Sequence, residues 1–146
     1  MATKTGIAWG GKIERSLNGT TYTAIPEARG IAVPTPTTEY QDVTNLDSAD
    51  RTREFVKGLI DPGEITLNCN YTTAGYEQQI GDQAEDEAIY YRATMPALAG
   101  QVTGDVFTFR GFPTPSIAAD DAGAPMSMTV TIRITGAVSW TKGPLV

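Results

Sequence analysis

The 146-residue chain carries 11 Lys or Arg against 17 Asp or Glu, for a formal net charge of −6, and no histidine. That length suits one domain, residues 1–146, with a real core. The acidic balance and the scatter of the basic residues argue against adhesion to phosphate backbones, and without histidine the chain lacks the usual near-neutral general base and the commonest transition-metal ligand.

There is no run of about 18 apolar residues, and Met1–Gly10 is no basic, apolar leader, so neither a membrane span nor a secretory signal is expected. The single Cys69 cannot form an internal disulfide, and in TLNCNY it reads as a strand residue, which fits a reducing compartment. The sequons at Asn18 and Asn70 matter only in a secreted protein and are read as chance.

In chain order, ERSLNGTTYTAIPE places Asn18-Gly19 where a hairpin turns, with Leu17 before it and Tyr22 and Ile25 beyond. Pro34 and Pro36 then take the chain along an edge or off the sheet, because a central strand needs their missing donors. After Pro62-Gly63, EITLNCNY alternates, with Ile65, Leu67, Cys69 and Tyr71 on one side, which predicts one buried face. The period then changes. Tyr76, Ile80, Ala84 and Ala88 recur every four residues and predict a short helix from about Ala74 to about Glu87, packed by one narrow stripe and weakened by Gly81.

IYYRATM and VFTFRGF read as two hairpin arms, and PTPSIAADDAGAP as a turn-rich connection. MSMTVTIRITG has the strongest alternation, Met126, Met128, Val130, Ile132 and Ile134 against Ser, Thr and Arg, and predicts a half-buried antiparallel strand. AVSWTKGPLV adds a short last strand. The fold class is mainly β: an antiparallel sandwich or partly closed barrel with one short flanking helix and a long assembly loop.

No constellation points to catalysis, a cofactor or a metal. Cys69 shares the apolar side with Leu67 and Tyr71, has no base nearby in sequence, and reads as a structural thiol. Asp82, Glu85 and Asp86 share a helical face and read as solvated rather than as a cation site. Gly10-Gly11-Lys12 fails as a phosphate loop because Ile13 stands where Ser or Thr is needed. Tyr90 with Arg92, and Phe107 with Phe109, share strand faces without a basic field around them, so core packing is expected over base stacking. Asp120-Asp121 reads as a turn.

The segment Thr37–Glu64 remains to be explained. It is polar and of mixed charge, with isolated Val43, Leu46, Phe55, Val56, Leu59 and Ile60. A structureless loop of this length is uncommon in a compact domain, so the segment either contains its own hairpin or awaits a partner. Scattered apolar residues in a soluble segment can serve as anchors within a polar rim upon assembly. A catalytic lid is the rival reading, but no site lies beneath it.

Here the sequence resembles the tail tube proteins of long, flexible-tailed bacteriophages, the group typified by the major tail protein of phage lambda. The resemblance is carried by AIPEARGIAVP (Ala24–Pro34), by TEYQDVTNLDSADRTREFVKGLIDPGEITLNCNY (Thr38–Tyr71), and by the later order of helix, YYRATMP, FTFRGF and PSIAADDAGAPMSMTVTIRITG. It implies a β-sandwich subunit of hexameric rings stacked into a tube. Viral DNA would pass through its lumen without sequence-specific binding. It also implies a long loop or β-arm at residues 37–64 that makes ring and tube contacts. By that similarity Asp42, Val43 and Thr44 open the arm, Asp50, Arg51, Arg53, Glu54, Phe55 and Gly58 form its charged, aromatic and glycine portion, and Asp61 and Gly63 form the DxG before the next strand. Leu46 and Asp47 join these as an anchor and its rim.

Further implied partners are a tape measure protein and tail-tip or terminator proteins, with the virion tail as location and the host cytoplasm as the place of assembly. No membrane is involved. Some family members add a C-terminal immunoglobulin-like domain, a pattern from which this chain departs by stopping at Val146. The net charge of −6 motivates an acidic lumen, which would repel DNA. The competing readings are a tube-end or connector protein, a related secretion-tube subunit, a small carboxylate or cysteine enzyme, and a standalone ligand-binding domain.

Overall fold

The computed structural model describes residues 6–7, 9–117 and 121–145. Its main body is a curled six-stranded antiparallel sheet that forms a half-barrel. The strands are β1 (Lys12–Ser16), β2 (Thr23–Ala24), β5 (Glu64–Asn70), β6 (Ile89–Thr94), β7 (Val106–Ile117) and β8 (Ser127–Thr141), in the order β2-β1-β6-β7-β8-β5. β3 (Thr37–Asp42) and β4 (Phe55–Asp61) pair only with each other, and α1 (Thr73–Gln83) is the one α-helix among the described residues. The fold is thus the mainly β, partly closed barrel with one flanking helix that the sequence predicts.

Alternation explains the sheet. Ile65, Leu67 and Cys69 of β5 are buried, as are Met128, Val130, Ile132 and Ile134 of β8, and the two strands pair in register from Glu64↔Arg133 to Asn70↔Ser127. Tyr71 and Met126 lie just outside these strands, and Met126 is exposed. β6 adds Ile89, Tyr91 and Ala93, β1 adds Ile13, and β7 adds Phe109, whose ring stacks on Tyr91 with centroids 5.6 Å apart. Burying each of the larger side chains contributes about 1.5–3 kcal/mol, so this one face supplies most of the driving force for folding.

The first hairpin forms where expected, but through a wider turn than a two-residue one. Ser16 Oγ accepts from the amides of Asn18 and Gly19, and Asn18 Oδ1 accepts from those of Thr20 and Thr21. Gly19, at φ 78°, occupies the left-handed region that its lack of a Cβ permits.

Three expectations need correction. β7 continues through Pro113 and Pro115 to Ile117, residues expected in a connection. Its pairing with β6 ends at Gly111, so beyond that point one edge has, among the described residues, no strand to receive the missing N–H groups, which is where proline is tolerated in a sheet. β8 is one strand to Thr141 instead of two, because an irregularity opposite Thr108–Arg110, with Gly136 at φ 79°, carries the chain through without a turn. The helix ends at Gln83 rather than near Glu87. Glu85, Asp86 and Glu87 would crowd negative charge at the negative end of its dipole, whereas Thr72 caps its start by accepting from the Gly75 amide at 3.0 Å.

The helix also buries a different face. Gly75, Gln79 and Asp82 point inward; of the expected stripe, Tyr76 packs in part against the core and Ala88, beyond the helix, is buried, while Ile80 is 44% exposed and Ala84 is exposed. Asp82 therefore does not share a solvated face with Glu85 and Asp86; it meets Arg15 of β1 beneath the helix. Tyr90 and Arg92 likewise turn away from the core. The Arg110 guanidinium lies over Tyr90 at 4.2 Å, and that of Arg92 over Tyr22 at 4.1 Å, whereas Phe109, and Phe107 in part, pack inward as expected. Asp120 lies outside the described residues, so the turn expected at Asp120-Asp121 is described only from Asp121 onward.

Candidate functional site

The segment 37–64 is a hairpin standing apart from the main sheet. β3 and β4 pair with Thr37↔Asp61, Thr38↔Ile60, Tyr40↔Lys57, Gln41↔Val56 and Asp42↔Phe55, and the register shifts between Thr38 and Tyr40. The shift sets two residues of β4, Gly58 and Leu59, against Glu39 alone, and so reverses the side-chain alternation. Residues opposite one another share a face, so Ile60 joins Tyr40 and Phe55 on one side while Val56 lies on the other. Among the described residues, neither side is covered by another element. Every residue of β4 is exposed, with Phe55 at 54%, Leu59 at 82% and Ile60 at 62%. An isolated two-stranded sheet is marginal in water, so this one either leans on its own turn or is completed by a partner.

The turn is well tied. Asp42 Oδ1 accepts from the Thr44 amide at 2.9 Å, and its other oxygen takes Arg53 Nη1 at 3.2 Å. Thr44 Oγ1 accepts from the Glu54 amide at 2.8 Å, Val43 N donates to Glu54 O at 2.9 Å, and Ser48 Oγ donates to Glu54 Oε2 at 2.9 Å. The hydrogen bonds from Thr44, with Arg53 helping, hold the Asp42 carboxyl below its ordinary value. Asp47 N donates to Asn45 Oδ1, and a 3-10 turn at Ala49–Arg51 places Asp50 and Arg51 at φ 54° and 55°, left-handed values uncommon for such residues. Leu46 sits at the tip, fully exposed.

At the root, Asp61 Oδ1 accepts from the Gly63 amide at 2.9 Å, and Gly63 turns at φ 74°. Asp61 also faces Arg133 of β8 at 3.5 Å, and Ile134 N donates to Gly63 O at 3.0 Å, which fastens the hairpin to the main sheet.

The structure thus gathers Asp42, Val43, Thr44, Arg53, Glu54 and Phe55 at the end of the strands, places Leu46, Asp47, Asp50 and Arg51 in the tip, Gly58 in the bulge, and Asp61 and Gly63 at the root. Sequence reasoning names Ile60 only as an isolated apolar residue and does not single out Tyr40; the two become neighbours of Phe55 only through the bulge. Nor does it place Arg133, which no local pattern links to Asp61, in the site. Gly58 has no steric necessity, since a Cβ there would meet Glu39 O at an ordinary 3.5 Å.

The outer edge of β5 is the other open feature. Residues 27–29 bridge its end, with Arg29 N donating to Asn68 O at 2.8 Å and Asn70 N to Glu27 O at 3.0 Å. Among the described residues no strand pairs with that edge from Glu64 to Leu67. Cys69 is fully buried, and burial pushes its thiol up, away from the thiolate that nucleophilic chemistry requires.

No family model and no curated protein matches the sequence. Solved structures do match the fold. A chain of the anti-feeding prophage baseplate, 6-fold symmetrised, superposes with a TM-score of 0.73 at 12% identity, covering 97% of this chain and 98% of that one. A chain of the cap that terminates the tube of the same particle gives 0.67 at 16%, covering 98% and 95%. A chain of the tail of an empty GTA particle, refined helically with C6 symmetry, gives 0.61 at 20%, covering 89% and 94%. The structures similar to this chain are components of phage-tail-like particles, and the likeness spans nearly the whole chain.

Proposed function

We propose that the chain is a structural subunit of a phage-type tail tube, six copies to a ring, with rings stacked into a conduit for nucleic acid. The observation that carries this reading is the hairpin Thr37–Asp61, whose apolar residues are bare on both sides although its turn is ordered. It is shaped before any partner arrives and completed by one. Six-fold symmetry in the matched structures supports the ring number, and the open edge of β5 offers backbone groups that a neighbouring strand can satisfy. Under this reading the hairpin reaches a neighbouring copy, Leu46, Phe55 and Leu59 act as anchors, and the surrounding charges form the rim. A tape measure protein and a terminator or tip protein bound the tube, which is assembled in the host cytoplasm and ends in the virion tail. The role is structural rather than enzymatic.

The higher TM-score to the terminating cap than to the helical tail, 0.67 against 0.61, favours a second reading as a tube-end protein. Negative-stain electron microscopy of concentrated protein, beside size-exclusion of a dilute sample, separates the two. Long tubes support the first reading and single rings the second. A monomer at every concentration sinks both.

A further inference from the structure

Among the described residues, no element packs on the outer face of the sheet across β5, β8 and β7. The core and α1 occupy the inner face of the sheet, where Gly75 of the helix approaches Met128 and Asp82 meets Arg15. On the opposite face, two rows of neighbours run across β5, β8 and β7: Thr66, Thr131 and Thr114, then Asn68, Thr129 and Ser116. Thr66, Asn68, Thr114 and Ser116 are exposed, and Thr129 and Thr131, between them on β8, are half-buried. Threonine suits a strand, but the solvent face of a sheet ordinarily mixes it with Lys and Glu. Here six adjacent positions carry hydroxyls or an amide and no charge.

Three arginines on the same face are engaged, and a fourth, Arg29, lies exposed beside Asn68 at the outer edge of β5. Arg92 pairs with Glu14 at 3.1 Å and stacks on Tyr22; Arg110 stacks on Tyr90 and donates to Ala88 O; Arg133 faces Asp61. Most of the acids sit elsewhere, on the hairpin and its turn (Glu39, Asp42, Asp47, Asp50, Glu54, Asp61) or on the helix and the turn after it (Glu77, Asp82, Glu85, Asp86, Glu87). The negative net charge therefore says little about this face, and the acidic lining expected from it is not what the patch presents.

We infer that this uncharged Thr/Ser/Asn patch is the surface turned toward the nucleic acid in the conduit, a strongly hydrated lining along which a polyanion passes without sticking. The inference rests on the tube reading. Adhesion to a phosphate backbone is driven mainly by cations that displace its counterions; the six positions offer none and Arg29, at the rim beside Asn68, is the one exposed guanidinium next to them, while the hydroxyls exchange one water hydrogen bond for another at little gain. An apolar lining would instead invite collapse of the bore or capture of unfolded chains.

The test uses Thr66→Cys and Thr114→Cys in the full chain, whose own Cys69 is buried and serves as the unreactive background. Each variant is assembled and exposed either to a small maleimide or to a maleimide coupled to streptavidin, too bulky for the bore. Expected is labelling by both reagents before assembly and loss of only the bulky labelling afterwards. Retained bulky labelling places the face on the outside of the tube, and loss of both places it in a subunit interface. Either overturns the inference while leaving the tube reading intact; failure of the unmodified chain to assemble overturns both. As a second readout, tubes of the doubly substituted Thr66→Lys, Thr114→Lys chain, assembled with short duplex DNA, retain that DNA on sedimentation and wild-type tubes do not. DNA retained equally by both, or by neither, counts against the lining.

Discussion

Arg15 and Asp82, 67 positions apart in sequence, form a two-point ion pair beneath α1, with Arg15 Nε 2.7 Å from Asp82 Oδ2 and Arg15 Nη2 on Asp82 Oδ1. Their side chains are 14% and 2% exposed. The hydrogen bond that the Arg15 guanidinium donates to Asp82 is the chief reason it holds its proton still more tightly than usual. Tyr76 packs in part against the core, but the fully buried residues of the helix are Gly75, Gln79 and Asp82, so this pair helps to fix where it docks.

Asp82→Ala should therefore destabilise the subunit by about 3 kcal/mol, because removing one partner leaves the other charge buried and uncompensated. The double variant Arg15→Met, Asp82→Leu should recover much of the loss. Urea unfolding of both chains checks this, and a single variant as stable as wild type would show that the helix docks by other means.

Cys69→Ser should cost roughly 1–3 kcal/mol, since a hydroxyl would enter the layer between Leu67 and Met128 without an assured partner. Assembly should survive at low temperature. A normal melting curve combined with complete loss of tubes would contradict the structural role of the thiol.

Deleting Asn45–Arg53 and joining Thr44 to Glu54 through Asn-Gly should leave the body folded and abolish tube growth. Val43 and Glu54 already pair, so a tight turn can close the shortened hairpin. Circular dichroism reports the fold, and sedimentation with electron microscopy reports growth. Tubes of unchanged rate and length would sink the arm hypothesis.

The order of the hairpin turn should depend on pH in the acid range. Because the folded-state value of Asp42 lies below its ordinary one, its contribution is present above the unfolded carboxylate value and is lost as pH falls through the folded value. The protection factor of the Thr44 amide, its exchange rate taken relative to the intrinsic rate at each pH, should fall on acidification while that of Val130 in the core does not. Asp42→Asn should remove most of the pH dependence, because the amide oxygen can still accept but no longer titrates.

β5 and β8 were legible in the sequence because each has one wet and one dry side, so Leu67 and Val130 sit where alternation puts them. The inward face of α1 was not. Tyr76, Ile80, Ala84 and Ala88 offered the better apolar stripe, and the partner that turns Asp82 inward lies on a distant strand. The strand through Pro113 and Pro115 was hidden for a similar reason, because whether a proline breaks a sheet depends on what lies beyond its edge. The hairpin was legible as an interruption in the core pattern, with Phe55 and Leu46 marked as anchors. That Tyr40 and Ile60 join Phe55 required the register, which a bulge alters and composition does not record.

The hairpin projects from the root at Asp61–Gly63 and is not matched by a second such arm among the described residues. An arm that reaches onto a copy in the next ring makes a head-to-tail contact, and such a contact, unlike one whose rotation closes a ring, does not terminate itself. A filament grown this way has a direction, one end offering arms and the other receiving them, and it carries no measure of its own length. Counting must be done by another molecule, and stopping requires only a cap on the growing end.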